Sequence, residues 1–162
     1  MSIAEVQVRD DMGDLADRIR AYRAIADQRE VRMPLGGSLF DTVITGMGDA
    51  AAMVATMDEI QVGACGPVIA DPDAGWLYWL VPPGTTARWD PHPYGLCLGA
   101  PHILRLPPLA RDVPPGPYWL RPCVSDCLLQ PVPLRGLLER FRPLPAPHES
   151  IAAQLGFPLT RQ

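Results

Sequence analysis

The chain contains no lysine; all 14 of its basic residues are arginine, the signature of a GC-rich coding sequence. That absence excludes a Walker-type phosphate loop, whose lysine reaches the outer phosphates of a nucleotide. Gly36-Gly37-Ser38 is a short glycine turn, but a β-rich run follows it where a phosphate loop needs a helix. No stretch of 18 uncharged apolar residues occurs, so no membrane-spanning helix is expected. The first ten residues lack the basic-then-apolar order of an export signal, and the expected location is cytoplasmic. There is no Cys-x-x-Cys pair. Cys65, Cys97, Cys123 and Cys127 are irregularly spaced and read as reduced thiols. The alternative, a metal site begun by Cys123 and Cys127 and completed by His92 or His102, has a poor ligand spacing. None of the four serines lies in a G-x-S-x-G elbow. His92, His102 and His148 show no obvious nucleophile or carboxylate partner at local spacing. The net charge of −4 argues against a general nucleic-acid binder; Arg135, Arg140 and Arg142 are the candidates for a local basic patch.

What is present fits one globular domain. The 162 residues are long enough for a core, and 48% hydrophobic with 20% charged residues is a folded composition. Residues 1–10 read as a flexible arm, 11–142 as the domain and 143–162 as a Pro-rich linker and tail. Asp11 to Gln28 has the apolar spacing of an amphipathic helix, with Leu15, Ile19, Tyr22 and Ala26 on one face. Leu39 to Thr45 is a β-rich run. Gly46-Met47-Gly48 breaks it before a helix over Asp49–Glu59, whose apolar face is Ala52, Met53, Thr56, Met57 and Ile60. This strand–helix–strand order predicts a β-α-β unit with a parallel pair.

From Gly66 onward the pattern becomes short apolar strands bounded by Gly and Pro, and three of the four tryptophans lie within those runs. Trp76, Tyr78 and Leu80 alternate with Leu77, Trp79 and Val81. Both faces are apolar, so this strand is expected to be central and helix-covered on one side. Asp71-Pro72-Asp73-Ala74-Gly75 reads as a hairpin turn in preference to a paired-carboxylate metal site. Pro82-Pro83 and Pro107-Pro108 mark strand ends. Leu134, Leu137, Leu138 and Phe141 make a helical stripe over Pro131–Arg142, and Glu149 to Leu155 reads as a short helix stopped by Gly156. The expected class is α+β, a small mixed or antiparallel sheet covered by helices.

The order of these segments resembles the bifunctional DNA primase/polymerase N-terminal domain, the prim-pol branch of the archaeo-eukaryotic primase superfamily. It looks closest to the short stand-alone actinobacterial forms. Thr42-Val-Ile-Thr-Gly-Met-Gly-Asp-Ala-Ala-Ala lies where that family has an acidic D-x-D strand, a Gly-rich turn and an Ala-rich helix. Gly75-Trp-Leu-Tyr-Trp-Leu-Val-Pro-Pro-Gly resembles its G-G-x-H-L-Y-F strand and V-P-P-G loop. Leu106-Pro-Pro-Leu resembles its P-P-S turn, and Gly116-Pro-Tyr-Trp its Y-x-W strand. The resemblance covers roughly residues 36 to 121 and implies a nucleotide cleft with two metal ions on the acidic pair. The departures fall on that chemistry. Trp76 stands at the histidine position, and Leu96 or Leu98 at the basic one. Val43 and Thr45 stand at the acidic pair, or Asp41 alone survives one register away.

The expectation is a prim-pol-like scaffold that has lost catalysis and acts as a binding or regulatory protein. Asp41 is the one catalytic candidate, and Trp76, Tyr78, Trp79 and Asp41 outline the nucleotide or partner cleft. Buried tryptophans are the competing reading of that set. No cofactor is expected; Mg²⁺ or Mn²⁺ enters only with an active nucleotidyltransferase in which Asp41, Asp71 and Asp73 converge. The third alternative is an unrelated α+β interaction module. A protein partner or homodimer is expected, with no membrane and no general nucleic acid. A prim-pol lineage requires Leu39–Thr45 beside Gly75–Val81, with both helices on one face.

Overall fold

The structure is a computed structural model that describes residues 30–61, 63, 65–122 and 128–148. The helices expected over Asp11–Gln28 and Glu149–Leu155, and the Cys123/Cys127 pair, lie outside the described residues. Ten elements follow in order: β1 Val31–Pro34, β2 Asp41–Gly46, α1 Ala50–Ile60, β3 Val68–Asp71, β4 Trp76–Val81, the single-turn α2 Thr85–Arg88, β5 Leu96–Leu98, β6 Ile103–Leu106, β7 Tyr118–Arg121 and α3 Pro131–Phe141. The class is α+β. Five strands form one sheet in the order β5-β2-β4-β3-β7, and β1 pairs with β6 in a separate ribbon.

Every strand pairing among the described residues is antiparallel, which corrects the expected parallel pair. The β2–α1–β3 unit exists, and its two strands run in the same direction. However, β4 folds back from β3 and inserts between them. The inserted strand reaches that slot because the Asp71 turn is tight. Gly75 N–H donates to Asp71 C=O at 2.9 Å, and Ala74 N–H to the Asp71 carboxylate at 3.4 Å. The hairpin reading of that segment therefore holds, and β4 takes the central place that its two apolar faces demand.

The two faces carry two cores. On one, Val43, Leu77, Trp79 and Val81 pack with Met53, Val54 and Met57 of α1 and with Leu134, Leu137 and Leu138 of α3. Both helices thus cover the same face, and they touch each other. On the other, Ile69, Leu80 and Trp119 pack against the β1–β6 ribbon through Met33, Leu104 and Leu106. Asp49 caps α1 by accepting the Ala52 N–H at 3.2 Å, which stabilises a helix start by about 1 kcal/mol. The helix presents Val54 to the core, whereas Ile60, expected on the apolar face, is 45% exposed. Only its final residues, Glu59 and Ile60, leave the packing stripe. Gln61, itself buried, ties the two helices. Its amide nitrogen donates to Leu128 C=O, and its amide oxygen accepts from Gln130 N–H. Pro131 opens α3, where its missing N–H costs nothing.

The chain beyond α3 turns back onto the sheet. Leu144 and Pro145 lie so close to Gly46 at the end of β2 that a Cβ there would sit 2.5 Å from the Leu144 carbonyl carbon. Only glycine fits that crossing. The next residues carry His148, whose Nε2 donates to His92 C=O at 2.8 Å.

Candidate functional site

Alternation along β2 puts Asp41, Val43 and Thr45 on the helix-covered face. Their environments differ sharply. Val43 is fully buried and pairs directly across from Trp79. Thr45 is equally buried, and its Oγ1 accepts the Trp79 indole N–H at 3.0 Å. The positions at which the resemblance calls for carboxylates are therefore filled by a methyl-bearing side chain and by a hydroxyl committed to an indole.

Asp41 is the only acid on this strand, and it is 1% exposed. Its Oδ2 accepts two bonds from Thr86, the N–H at 2.9 Å and the Oγ1–H at 2.7 Å. Its Oδ1 is buried without a partner among the described residues. Such an orphan acceptor costs of order 1–3 kcal/mol. Gly99 closes the other side. A Cβ there would lie 3.1 Å from both carboxylate oxygens and 2.6 Å from Thr86 Oγ1. Cys97 Sγ lies 3.5 Å from the same Thr86 hydroxyl. Burial pushes the Cys97 thiol up to about 11, and the nearby Asp41 charge adds to the rise. The thiol is thus protonated at neutral pH and a poor nucleophile. The carboxylate's visible task is to hold α2 onto β2.

The other acids do not converge on it. Asp41 pairs with Val81 at one end of β4, and Asp71 pairs with Trp76 at the other. Five residues of strand separate the two registers by about 17 Å along the sheet. Asp71 is instead engaged by Tyr78, whose hydroxyl donates to it at 3.3 Å. Burial, with help from Asp71, pushes the Tyr78 hydroxyl up to about 12. Asp73 is exposed in the turn. Among the described residues, no three His, Cys, Asp or Glu side chains come together. A two-ion phosphoryl-transfer site needs convergent carboxylates, and one acid beside Val43 and Thr45 does not fit it.

The aromatic residues of the expected cleft are divided rather than gathered. Trp79 lies in the helix-side core, while Tyr78 packs toward the ribbon side. Trp76 and Trp119 are also buried, the latter donating its indole N–H to Pro107 C=O at 2.9 Å. Of the four tryptophans, Trp89 alone is half-buried. Arg135 of α3 lies over its ring at 4.7 Å and donates to Asp90 C=O at 2.7 Å. Arg140 lies over Phe141, so two members of the expected arginine patch are engaged with aromatic rings.

His92, beside Trp89, is buried and structural. Its Nδ1 accepts the Tyr94 N–H at 3.1 Å, which places the proton of the neutral ring on Nε2. That nitrogen sits 3.8 Å from a Glu139 carboxylate oxygen. Burial lowers the His92 pKa, Arg135 and His148 lower it further, and Glu139 opposes them. Sequence reasoning found Asp41 but missed Thr86 and Gly99, which enclose it. The only hint was Gly84-Thr85-Thr86 after two prolines, a usable start for a turn of helix. No family model, curated protein or solved structure matches this chain.

Proposed function

We propose that this chain is a prim-pol-like domain that has given up phosphoryl transfer and acts by binding, as a regulatory or adaptor protein. The observation that carries the reading is the state of β2. Its one carboxylate is sealed under Thr86; of the two positions beyond it, Val43 belongs to the apolar core and the buried Thr45 hydroxyl accepts the Trp79 indole N–H. The lineage half of the proposal is supported by two features. Strand β2 lies directly beside β4, and α1 and α3 cover the same face. With Val43, Thr45 and Trp79 fully buried, those positions offer a triphosphate neither charge nor access, and binding falls to the outer surface.

The test is primer synthesis on a single-stranded template, with ATP, GTP and deoxynucleotides, in Mg²⁺ and in Mn²⁺. The expected result is no product above that of the Asp41→Asn variant in either metal. Metal-dependent synthesis by the natural chain that disappears in Asp41→Asn would overturn the reading.

A further inference from the structure

The β1–β6 ribbon covers one face of the sheet, and among the described residues no further strand pairs with its edges. Its register sets Arg32 directly opposite Arg105, and Pro34 directly opposite Ile103. Burial alternates along both strands, and these four residues are the exposed ones, with Ile103 56% exposed. Two like charges face to face on an antiparallel pair repel each other. Arg105 is approached by Glu30 at 3.8 Å, with both side chains substantially exposed, and Arg32 makes no ion pair among the described residues. The face is therefore a cationic pair beside an apolar pair, with only one loosely held acid.

The outer edge of β6 is unpaired among the described residues as well. Leu35 N–H donates to His102 C=O at 2.9 Å, which identifies the hydrogen-bonded pairs of this ribbon. Counting by two, Met33–Leu104 and Val31–Leu106 are bonded pairs. The N–H and C=O groups of Ile103 and Arg105 then turn away from β1. They present a short row of donors and acceptors, the template on which an extended chain can add a strand.

We propose that the outer edge of β6 receives an extended acidic peptide segment of a protein partner as a third strand. Main-chain bonds to Ile103 and Arg105 supply the pairing. Carboxylates at alternate positions on the outward side of the guest strand bridge Arg105 and Arg32, and the methylenes of the next such residue lie over Ile103 and Pro34. The inference rests on the binding reading above and names the partner's chemistry. A second copy of this chain is the poorer occupant, because edge-to-edge pairing would gather four arginines around the seam. A nucleic acid is poorer too. Two arginines neutralise little of its backbone, and a nucleotide chain has no main-chain N–H and C=O groups to pair with the strand edge.

The test is an amide NMR titration of the full chain with the synthetic peptide Ac-Glu-Val-Glu-Val-Glu-NH2. The controls are Ac-Lys-Val-Lys-Val-Lys-NH2 and a ten-nucleotide oligothymidine. The expected result is saturable movement of the Ile103 and Arg105 amides with slowed exchange at both, from the acidic peptide alone. The double variant Arg32→Ser, Arg105→Ser should keep its melting temperature and bind the peptide about tenfold more weakly. The proposal is overturned if the acidic peptide moves neither amide, if the basic peptide binds as well, if the oligonucleotide binds more tightly, or if the double variant binds like the natural chain. Primer synthesis by the natural chain would count against the loss of catalysis and leave this titration independent of it.

Discussion

Replacing Val43 by aspartate restores a carboxylate to a position where the resemblance expects one, and the structure predicts that the protein will not accept it. Val43 is fully buried between Trp79, Cys97 and Leu138. Removing its side chain from the core forfeits about 1.5–3 kcal/mol of burial. Burying a polar group without a partner adds about 2–7 kcal/mol. The sum, at least about 3.5 kcal/mol, is a large part of the roughly 5–15 kcal/mol that a domain has in total. Thermal unfolding followed by circular dichroism should show a fall in Tm of more than about 10 °C, or no folded protein. Val43→Ala, which only removes methyl groups, should cost about 2 kcal/mol. The pH dependence separates burial from mere clumsiness of fit. A buried carboxyl has its pKa raised above the unfolded value, so the folded state binds more protons between the two. The variant's deficit should then shrink as pH falls toward 4 and grow toward 8. If Val43→Asp melts within a degree or two of the natural chain, with no such pH dependence, the position faces water and the sealed-core argument is wrong.

Other substitutions probe the surrounding structure. Gly46→Ala should push the Leu144–Pro145 segment off the end of β2 and cost about 1–3 kcal/mol, with amide exchange at Leu144 accelerated; an unchanged Tm would refute the crossing. His92 has a lowered pKa, so its contribution is fully present above its ordinary value of 6.5 and is lost as pH falls below that value. Melting at pH 7.5 and pH 5 should show a drop for the natural chain that is smaller in His92→Gln. Cys65, pushed up to about 12, and Cys97, up to about 11, should react with a disulfide reagent far more slowly at pH 7.5 in the folded chain than in denaturant. Equal rates would contradict the burial of Cys97 and the partial burial of Cys65.

Much of the fold was legible because its signals are local. The Asp71 turn, the two apolar faces of Trp76–Val81 and the Leu134–Leu138 stripe each depend on residues within a few positions of one another. Strand order is not local. Nothing in Val68–Asp71 announces that β4 will insert beside it and separate it from β2, so the expectation of a parallel pair failed. The β1–β6 ribbon joins segments about seventy residues apart in a chain whose β1 run, Val-Arg-Met-Pro, is too short and mixed to read as a strand. At the candidate site, the types of residue were legible and their relations were not. Asp41 could be singled out as the surviving acid, but its closure by Thr86 is a contact across forty-five positions. Trp79 could be read as a cleft aromatic or as core, and only the indole bond to Thr45 decides for core.

The central claim is that no nucleotide site operates on this scaffold, and ligand-dependent melting tests it most directly. A ligand that binds only the folded state raises Tm by mass action, by about 2.7 kcal/mol of stability at a hundredfold excess over its Kd. The melting temperature should be measured with millimolar ATP or GTP, each with Mg²⁺ and with Mn²⁺, against metal alone. The account predicts no shift beyond that of the metal alone. A clear nucleotide- and metal-dependent rise, abolished in Asp41→Asn, would contradict it.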